Sequence, residues 1–269
     1  MIQIKDLNFA YPRQRVLFNK LSLNLESGSI TGLLGKNGAG KTTLLKLITG
    51  SLHPQSGTMT VLDHTPGKRE VSLLNDVFLV PEEFYFPATT IWEYRKVYTP
   101  FYPQFDQKMM DNILSEFELN SGDNLQHLSH GQKKKFLIAF ALASRCRLLV
   151  LDEPTNGLDI PSKVLFRKIL AGSLDENQLV IISTHQVKDV ENLIDKILIL
   201  DNGKMIFQQT LSDISQKVCF VTGNTPDVEG AIYSEAIPGG YRLMVPNGHA
   251  ETEVDIELLF NAITNGKKI

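Results

Sequence analysis

Along the first half of the chain the spacing of apolar residues switches between two periods. Residues 2–9 alternate apolar and polar, and so do residues 16–25, VLFNKLSLNL. That period of two marks strands with one buried face. Thr58 to Leu62, following Ser56-Gly57, supplies a third such strand. The three predict a small antiparallel sheet near the start of the chain. Between them lies a segment of another kind. SITGLLG, residues 29–35, is a short apolar strand running into a glycine loop. TTLLKLIT, residues 42–49, then takes helical spacing and stops at Gly50.

Further on, the apolar residues come in unbroken runs: Val77 to Val80, Leu148 to Leu151 and Leu179 to Ile182. Runs of this length suit strands covered on both faces, as in a parallel sheet between helices. Residues 87–145 read as mostly helical, and Thr90 with Glu93 forms a capping box at one helix start. Ile197 to Leu200, Asp201-Asn202-Gly203, and Met205 to Phe207 predict a hairpin with a tight turn.

The pattern changes after about residue 210. Gly223, Gly230, Gly239, Gly240 and Gly248 cut the chain into short pieces. KVCFV and YRLMV read as strands, and residues 253–264 as a closing amphipathic helix. The expected organisation is one α/β domain over residues 1–210 and a small C-terminal α+β extension over residues 211–269. No internal repeat or low-complexity tract interrupts it.

Composition narrows the function classes. The 269 residues are 42% hydrophobic and 21% charged, with net charge −3. Such a chain folds around a core, and its charge gives no overall basic field for DNA or RNA. No nucleic-acid partner is expected. Cys146 and Cys219 belong to no paired motif and read as idle or buried thiols in a reducing compartment. The opening residues lack the apolar core of a signal peptide. No apolar run approaches the roughly 20 residues that span a bilayer. A cytoplasmic protein, peripheral to a membrane through a partner, is the expectation.

The chemistry-bearing residues are clustered. Residues 35–42 read Gly35-Lys36-Asn37-Gly38-Ala39-Gly40-Lys41-Thr42, followed by Thr43. Glycines at three of these positions let the backbone curl around a polyanion and aim its N–H groups inward. The helix that follows presents its positive end to the same charge. Lys41 can reach the β- and γ-phosphates of a nucleotide, and the Thr42 hydroxyl can ligate Mg²⁺.

LLVLDEP, residues 148–154, delivers two carboxylates at the C-terminal end of a buried strand, the edge where open α/β sheets bind ligands. Asp152 is suited to hold Mg²⁺ and Glu153 to orient and deprotonate water. An Asp-Glu pair alone more often marks a solvated strand end; the upstream loop turns the balance. STHQ, residues 183–186, puts His185 on the same edge, within reach of a γ-phosphate. His53, His64, His127, His130 and His249 lack ligand spacing and read as surface or packing residues.

Leu128-Ser129-His130-Gly131-Gln132 precedes a helix-like stretch. The order of phosphate loop, LSxGQ, LLxLDEPTNGLD and STH resembles the nucleotide-binding subunits of ABC transporters over residues 1 to about 210. The resemblance implies a P-loop NTPase fold: a RecA-like core with an antiparallel β subdomain and a helical subdomain of about residues 87–145. It implies ATP and Mg²⁺, with Tyr11 stacked on adenine. It also implies a head-to-tail dimer in which Ser129, Gly131 and Gln132 meet the nucleotide of the other subunit and Asp159, in Gly157-Leu158-Asp159, lies at the junction. A second copy or a different ATPase subunit would complete that pair, and a separate transmembrane permease would be driven by it.

One position departs from the pattern. After VFLV the family has Pro-Gln, whereas this chain has Pro81-Glu82. An anion there either tightens Mg²⁺ binding or perturbs the attacking water and the coupling step; Glu82 is kept as an expected metal ligand. Phe101-Tyr102-Pro103-Gln104-Phe105-Asp106 resembles a stretch of bacterial exporter ATPases, which points to export. The aromatics from Phe84 to Tyr102 fit either a permease-docking surface or core packing. An ABC ATPase acting on ribosomes or DNA is disfavoured by the single cassette and the lack of cysteine pairs. For residues 211–269, packing or dimer support is favoured over ligand binding.

Overall fold

The computed structural model describes residues 1–225, 230–248 and 252–269; the reading of His249 lies outside them. Strands β1 (Ile2–Ala10) and β2 (Val16–Leu25) pair antiparallel with Ile4 opposite Leu23. β3 (Ser29–Leu34) feeds the glycine loop, α1 (Lys41–Ile48) follows, and β4 (Ser56–Val61) completes a three-stranded sheet of order β2-β1-β4. This is the sheet read from the alternation, with β4 beginning two residues earlier than expected. Gly57 explains the early start: a Cβ there would lie 2.5 Å from the Asp6 carbonyl oxygen, so only glycine lets β4 close on β1.

The chain continues through α2 (Val71–Leu74), β5 (Val77–Val80), α3 (Ile91–Tyr98), α4 (Gln107–Glu116), α5 (His130–Ala143), β6 (Leu148–Asp152), α6 (Ile160–Ser173), β7 (Leu179–Thr184), β8 (Lys196–Asp201) and β9 (Lys204–Thr210). These strands and β3 form a six-stranded sheet, β5-β6-β7-β3-β8-β9, parallel except for β9. Both faces are covered, which is why the strands read as unbroken apolar runs. Leu148, Val150, Leu179 and Ile181 face one core with α1 and the antiparallel sheet. Leu149, Leu151, Val180 and Ile182 face the other with α5 and α6. Each fully buried leucine contributes about 1.5–3 kcal/mol by leaving water.

The helical stretch is built as its caps announce. Thr90 caps α3: its hydroxyl accepts from the Glu93 N–H while the Glu93 carboxylate accepts from the Thr90 N–H. The backbone N–H of Thr90 holds the Glu93 carboxyl below its usual range. The hairpin between β8 and β9 turns at Asn202 (φ 45°) and Gly203 (φ 74°), two left-handed residues in succession, as a primed turn requires.

Beyond β9 come α7 (Leu211–Lys217), β10 (Val218–Gly223), β11 (Tyr233–Ile237), β12 (Gly240–Pro246) and α8 (Ile256–Thr264), the strands ordered β10-β12-β11. The closing helix starts three residues later than expected because Asp255 caps it, accepting from the Leu258 N–H. Ile214, Met244, Leu258 and Leu259 lie in the same buried cluster as Ile197 and Ile199 of β8. Among the described residues, no helix is long and apolar enough to cross a membrane.

Candidate nucleotide-binding site

The parallel strands β6, β7 and β3 are neighbours, so the loops at their C-terminal ends meet at one sheet edge. Residues 35–40 follow β3, Glu153 follows β6, and His185 follows β7. An open cleft of about 580 Å³ lies there, lined by Tyr11, Lys36, Lys41, Thr42, Glu82, Glu153 and His185 among others.

The loop needs its glycines for two different reasons. Gly38 (φ 81°) and Gly40 (φ 109°) adopt left-handed backbone that side chains resist. Gly35 is held by space: a Cβ there would stand 2.5 Å from the Leu200 carbonyl oxygen. Gly40 occupies the cap position of α1 without any side-chain cap, so the first N–H groups of the helix keep their capacity for an anion. Ala39 is buried beneath the loop, and Lys36 and Asn37 are exposed on it.

Lys41 is buried, 7% exposed. Its Nζ donates to the Gly35 carbonyl at 2.8 Å and lies 3.4 Å from Glu153 Oε1. The ammonium thus bridges the loop and the carboxylate that the sequence assigned to water activation. His185 Nδ1 sits 2.9 Å from the same Glu153 oxygen. Glu153 Oε2 is buried and has no protein partner. A buried lone oxygen of this kind is costly unless another group, such as a water, takes it.

Glu153 is also conformationally unusual, with φ 45°. Left-handed backbone at a non-glycine residue costs on the order of 1–3 kcal/mol and persists only where its surroundings impose it. Ser183, paired in register with Asp152 on the adjacent strand, supplies part of that constraint. Its hydroxyl donates to the Asp152 carboxylate, and both its carbonyl and hydroxyl oxygens lie within reach of the Glu153 N–H, at 3.1 and 3.2 Å. Ser183 was legible only as a letter of STHQ; its work of orienting both acids depends on strand register.

Asp152 is buried behind the cleft, 2% exposed, with Ser183 as its partner. Glu82 reaches the cleft wall, where Oε1 accepts from the Asn156 side chain at 3.2 Å. Among the described residues, no three His, Cys, Asp or Glu side chains are grouped to hold a metal. The oxygen donors at the cleft, Thr42 and Glu82 with Asp152 buried behind them, are hard ligands of the kind Mg²⁺ takes alongside substrate phosphates and water. Thr42 lines the same cleft. Tyr11 lines it at the far end, its hydroxyl 3.1 Å from Thr43 Oγ1 and its ring edge-on to Phe9. Arg15, Val16 and Leu17 also border it; the sequence reading had not picked them out.

Six expected nucleotide contacts do not line this cleft: Gly35 and Ala39, which lie buried within the loop itself, and four residues on other elements. Ser129 caps α5, its hydroxyl accepting from the Gln132 N–H while Gln132 Oε1 accepts from the Ser129 N–H. Gly131 packs against the 157–159 turn: a Cβ on it would lie 2.8 Å from the Gly157 carbonyl oxygen. Asp159 caps α6, and hydrogen bonds from Ser162 hold its carboxyl below the usual range. Ser129, Gly157 and Asp159 are all exposed. One chain therefore carries the cleft at residues 36–43 and, away from its lining, the exposed Ser129 start of α5.

Of the remaining histidines, His53 bonds the Gly67 carbonyl and His64 bonds Glu70, both at the surface. His130 packs its ring on Phe84 with centroids 5.2 Å apart.

The protein-family profile described as ABC transporter matches residues 18–156. The "SkfA peptide export ATP-binding protein SkfE" of Bacillus subtilis (strain 168) is 31% identical, over 77% of this chain and 87% of that one. The "High-affinity zinc uptake system ATP-binding protein ZnuC" of the same organism is 32% identical, over 76% and 92% respectively. A solved "Structure of ATP binding subunit of ABC transporter" superposes with a TM-score of 0.72 at 25% identity, covering 79% of this chain and 91% of that one. The chain belongs to the ABC transporter family, as one of its ATP-binding, ATP-hydrolysing subunits.

Proposed function

We propose that this chain works as a dimeric motor that closes over two ATP molecules and drives a separate transmembrane permease in the direction of export, from the cytoplasmic face of the membrane. The observation that carries it is the division of parts on one chain. The cleft holds Lys41, Glu153 and His185 together, while Ser129 and Asp159 stand exposed elsewhere, with Gly131 and Gln132 half-buried beside Ser129. A second subunit turned head to tail brings its Ser129 helix start to this cleft, and the positive end of that helix meets the triphosphate.

In this reading each residue has a task. The backbone N–H groups of residues 35–40 and the Lys41 ammonium hold the phosphates. Tyr11 packs on the base. Glu153 takes a proton from the attacking water, and His185, hydrogen-bonded to Glu153, steadies both that carboxylate and the γ-phosphate. Thr42, Asp152 and Glu82 would hold Mg²⁺, which would supply positive charge to offset that of the phosphates. Glu82→Gln tests the least usual of these ligands. The Mg²⁺ concentration for half-maximal turnover is expected to rise about tenfold. An unchanged Mg²⁺ titration would remove Glu82 from the metal set.

The aromatics of residues 84–102 divide between the two roles foreseen for them. Phe84, Phe86, Tyr94 and Tyr102 pack against the core. Burial pushes the Tyr94 hydroxyl up to about 12. Tyr85 (95% exposed), Trp92 (57%) and Phe101 (59%) face outward and suit a permease segment. Residues 211–269 serve packing in this reading, as the apolar faces of α7 and α8 indicate.

Export rests on the Phe101–Asp106 segment and on the peptide exporter among the relatives; the zinc-uptake relative makes direction a matter for experiment. In inside-out vesicles carrying this chain and its permease, export appears as ATP-dependent accumulation of substrate inside the vesicle. ATP-dependent release from preloaded vesicles would reverse the direction. Rates without a permease test the motor alone: turnover per chain is expected to rise with protein concentration as dimers form.

A further inference from the structure

Lys134 is the middle lysine of Lys133-Lys134-Lys135 on α5, and it is completely buried. A buried ammonium is costly unless all three of its donors are used. Here three backbone carbonyls surround it: Pro81 at 3.3 Å, Glu82 at 3.2 Å and Glu153 at 3.5 Å. The Phe84 ring lies 5.1 Å from the same nitrogen, and His130, one turn earlier on α5, packs on that ring. Burial lowers the pKa of Lys134, while the carboxylates of Glu82, Asp152 and Glu153 act the other way.

The three carbonyls belong to functionally distinct segments. Pro81 and Glu82 begin the loop after β5, and Glu153, with its left-handed backbone, is the first residue after β6. Ser183 restrains Glu153 through its N–H; Lys134 restrains it through its carbonyl. Both sides of the strained residue are therefore tied, which is the condition for such a conformation to persist. Lys134 itself sits little more than one helical turn from Ser129.

We propose that Lys134 is a positioning residue for hydrolysis: its ammonium ties the backbone of Glu153 to residues 81–82 and to the helix that carries Ser129. The carboxylate's aim is then coupled to the position of the signature helix. This rests on the hydrolytic reading of Glu153 given above.

The test compares Lys134→Met, which keeps length and removes the donors, with Lys134→Gln, which keeps a donor. Three quantities are measured on each: melting temperature, equilibrium ATP affinity and kcat. Displacing a reacting group slightly costs up to about 10²-fold in rate. K134M is expected to lose at least about tenfold in kcat with ATP affinity within about twofold of the unaltered chain, and K134Q to fall between the two. A residue with a merely structural role would move the melting temperature and affinity together and show no recovery with glutamine. K134M with kcat within about twofold of the unaltered chain, or with ATP affinity lost in proportion to rate, overturns the proposal. If K134M does not melt cooperatively, K134Q decides alone: a kcat loss of at least about threefold at unchanged ATP affinity supports it, and a smaller loss overturns it. Glu153→Gln, measured in parallel, separates the two levels. If E153Q loses turnover and the Lys134 variants do not, only the positioning role fails; if E153Q keeps its turnover, the hydrolytic reading fails with it.

Discussion

Lys41→Ala is expected to lower kcat/KM for ATP by about 10²–10³-fold, the scale of removing one preorganised charge-stabilising donor from a transition state. The turns of the loop would remain, because the positive φ of Gly38 and Gly40 and the close approach of Gly35 to Leu200 are backbone features; the Gly35 carbonyl alone loses a partner. What disappears is a buried ammonium that touches both the loop, through the Gly35 carbonyl, and Glu153. Nucleotide affinity is expected to weaken as well, since the cleft loses its one buried cation among the lining residues described. Equilibrium binding of ATP and steady-state phosphate release measure the two effects separately. Undiminished binding and turnover would show that the triphosphate is not held where the loop places it.

Glu153→Gln is expected to lower kcat by about 10²–10⁴-fold while leaving ATP affinity within a few-fold, as loss of a general base does. Glutamine preserves the shape of the side chain and its contact with His185. It removes the carboxylate that accepts the proton of water. Lys41 would lose its charged partner in the empty cleft and be more available to phosphate. ATP is then bound and not consumed, so the closed state accumulates. Single-turnover kinetics with excess enzyme identify the chemical step as the one slowed. A variant that turns over at the original rate would assign the water to another group.

Much of the site was legible because its chemistry ties residue types to fixed spacing. A phosphate cradle needs glycine where φ is positive or space is absent, and residues 35–42 satisfy both demands. The acids and the histidine could be placed together because buried runs predict a parallel sheet, and a parallel sheet gathers its strand ends at one edge. Register and packing were harder to see. Ser183 reaches Asp152 only because β6 and β7 align in a particular register. Lys134 is flanked by two lysines of the same type, and nothing in KKK shows which of them faces inward; the packing of α5 on β5 decides it.

Boundaries failed where caps were overlooked. Asp255 starts α8 and Gly40 starts α1, each shifting a helix from its expected first residue. β11, YSEAI, lacks a clean alternation because its side chains are mostly half-buried. α6, IPSKVLFRKILAGS, was not read as a helix at all, although Asp159 at its start carries both a cap and the expected partner contact.

The proposed head-to-tail pairing places the cleft of one subunit against the exposed Ser129 helix start of another, and two copies of this chain are the pair to test first. The most direct test is the solution mass of the Glu153→Gln variant with saturating ATP and Mg²⁺, by light scattering on size exclusion. The expected result is a species twice the 30.1 kDa of one chain, returning to a single chain when Ser129→Glu is added to repel the facing phosphate. A 30.1 kDa particle with ATP bound, or a dimer indifferent to the change at Ser129, would contradict the account.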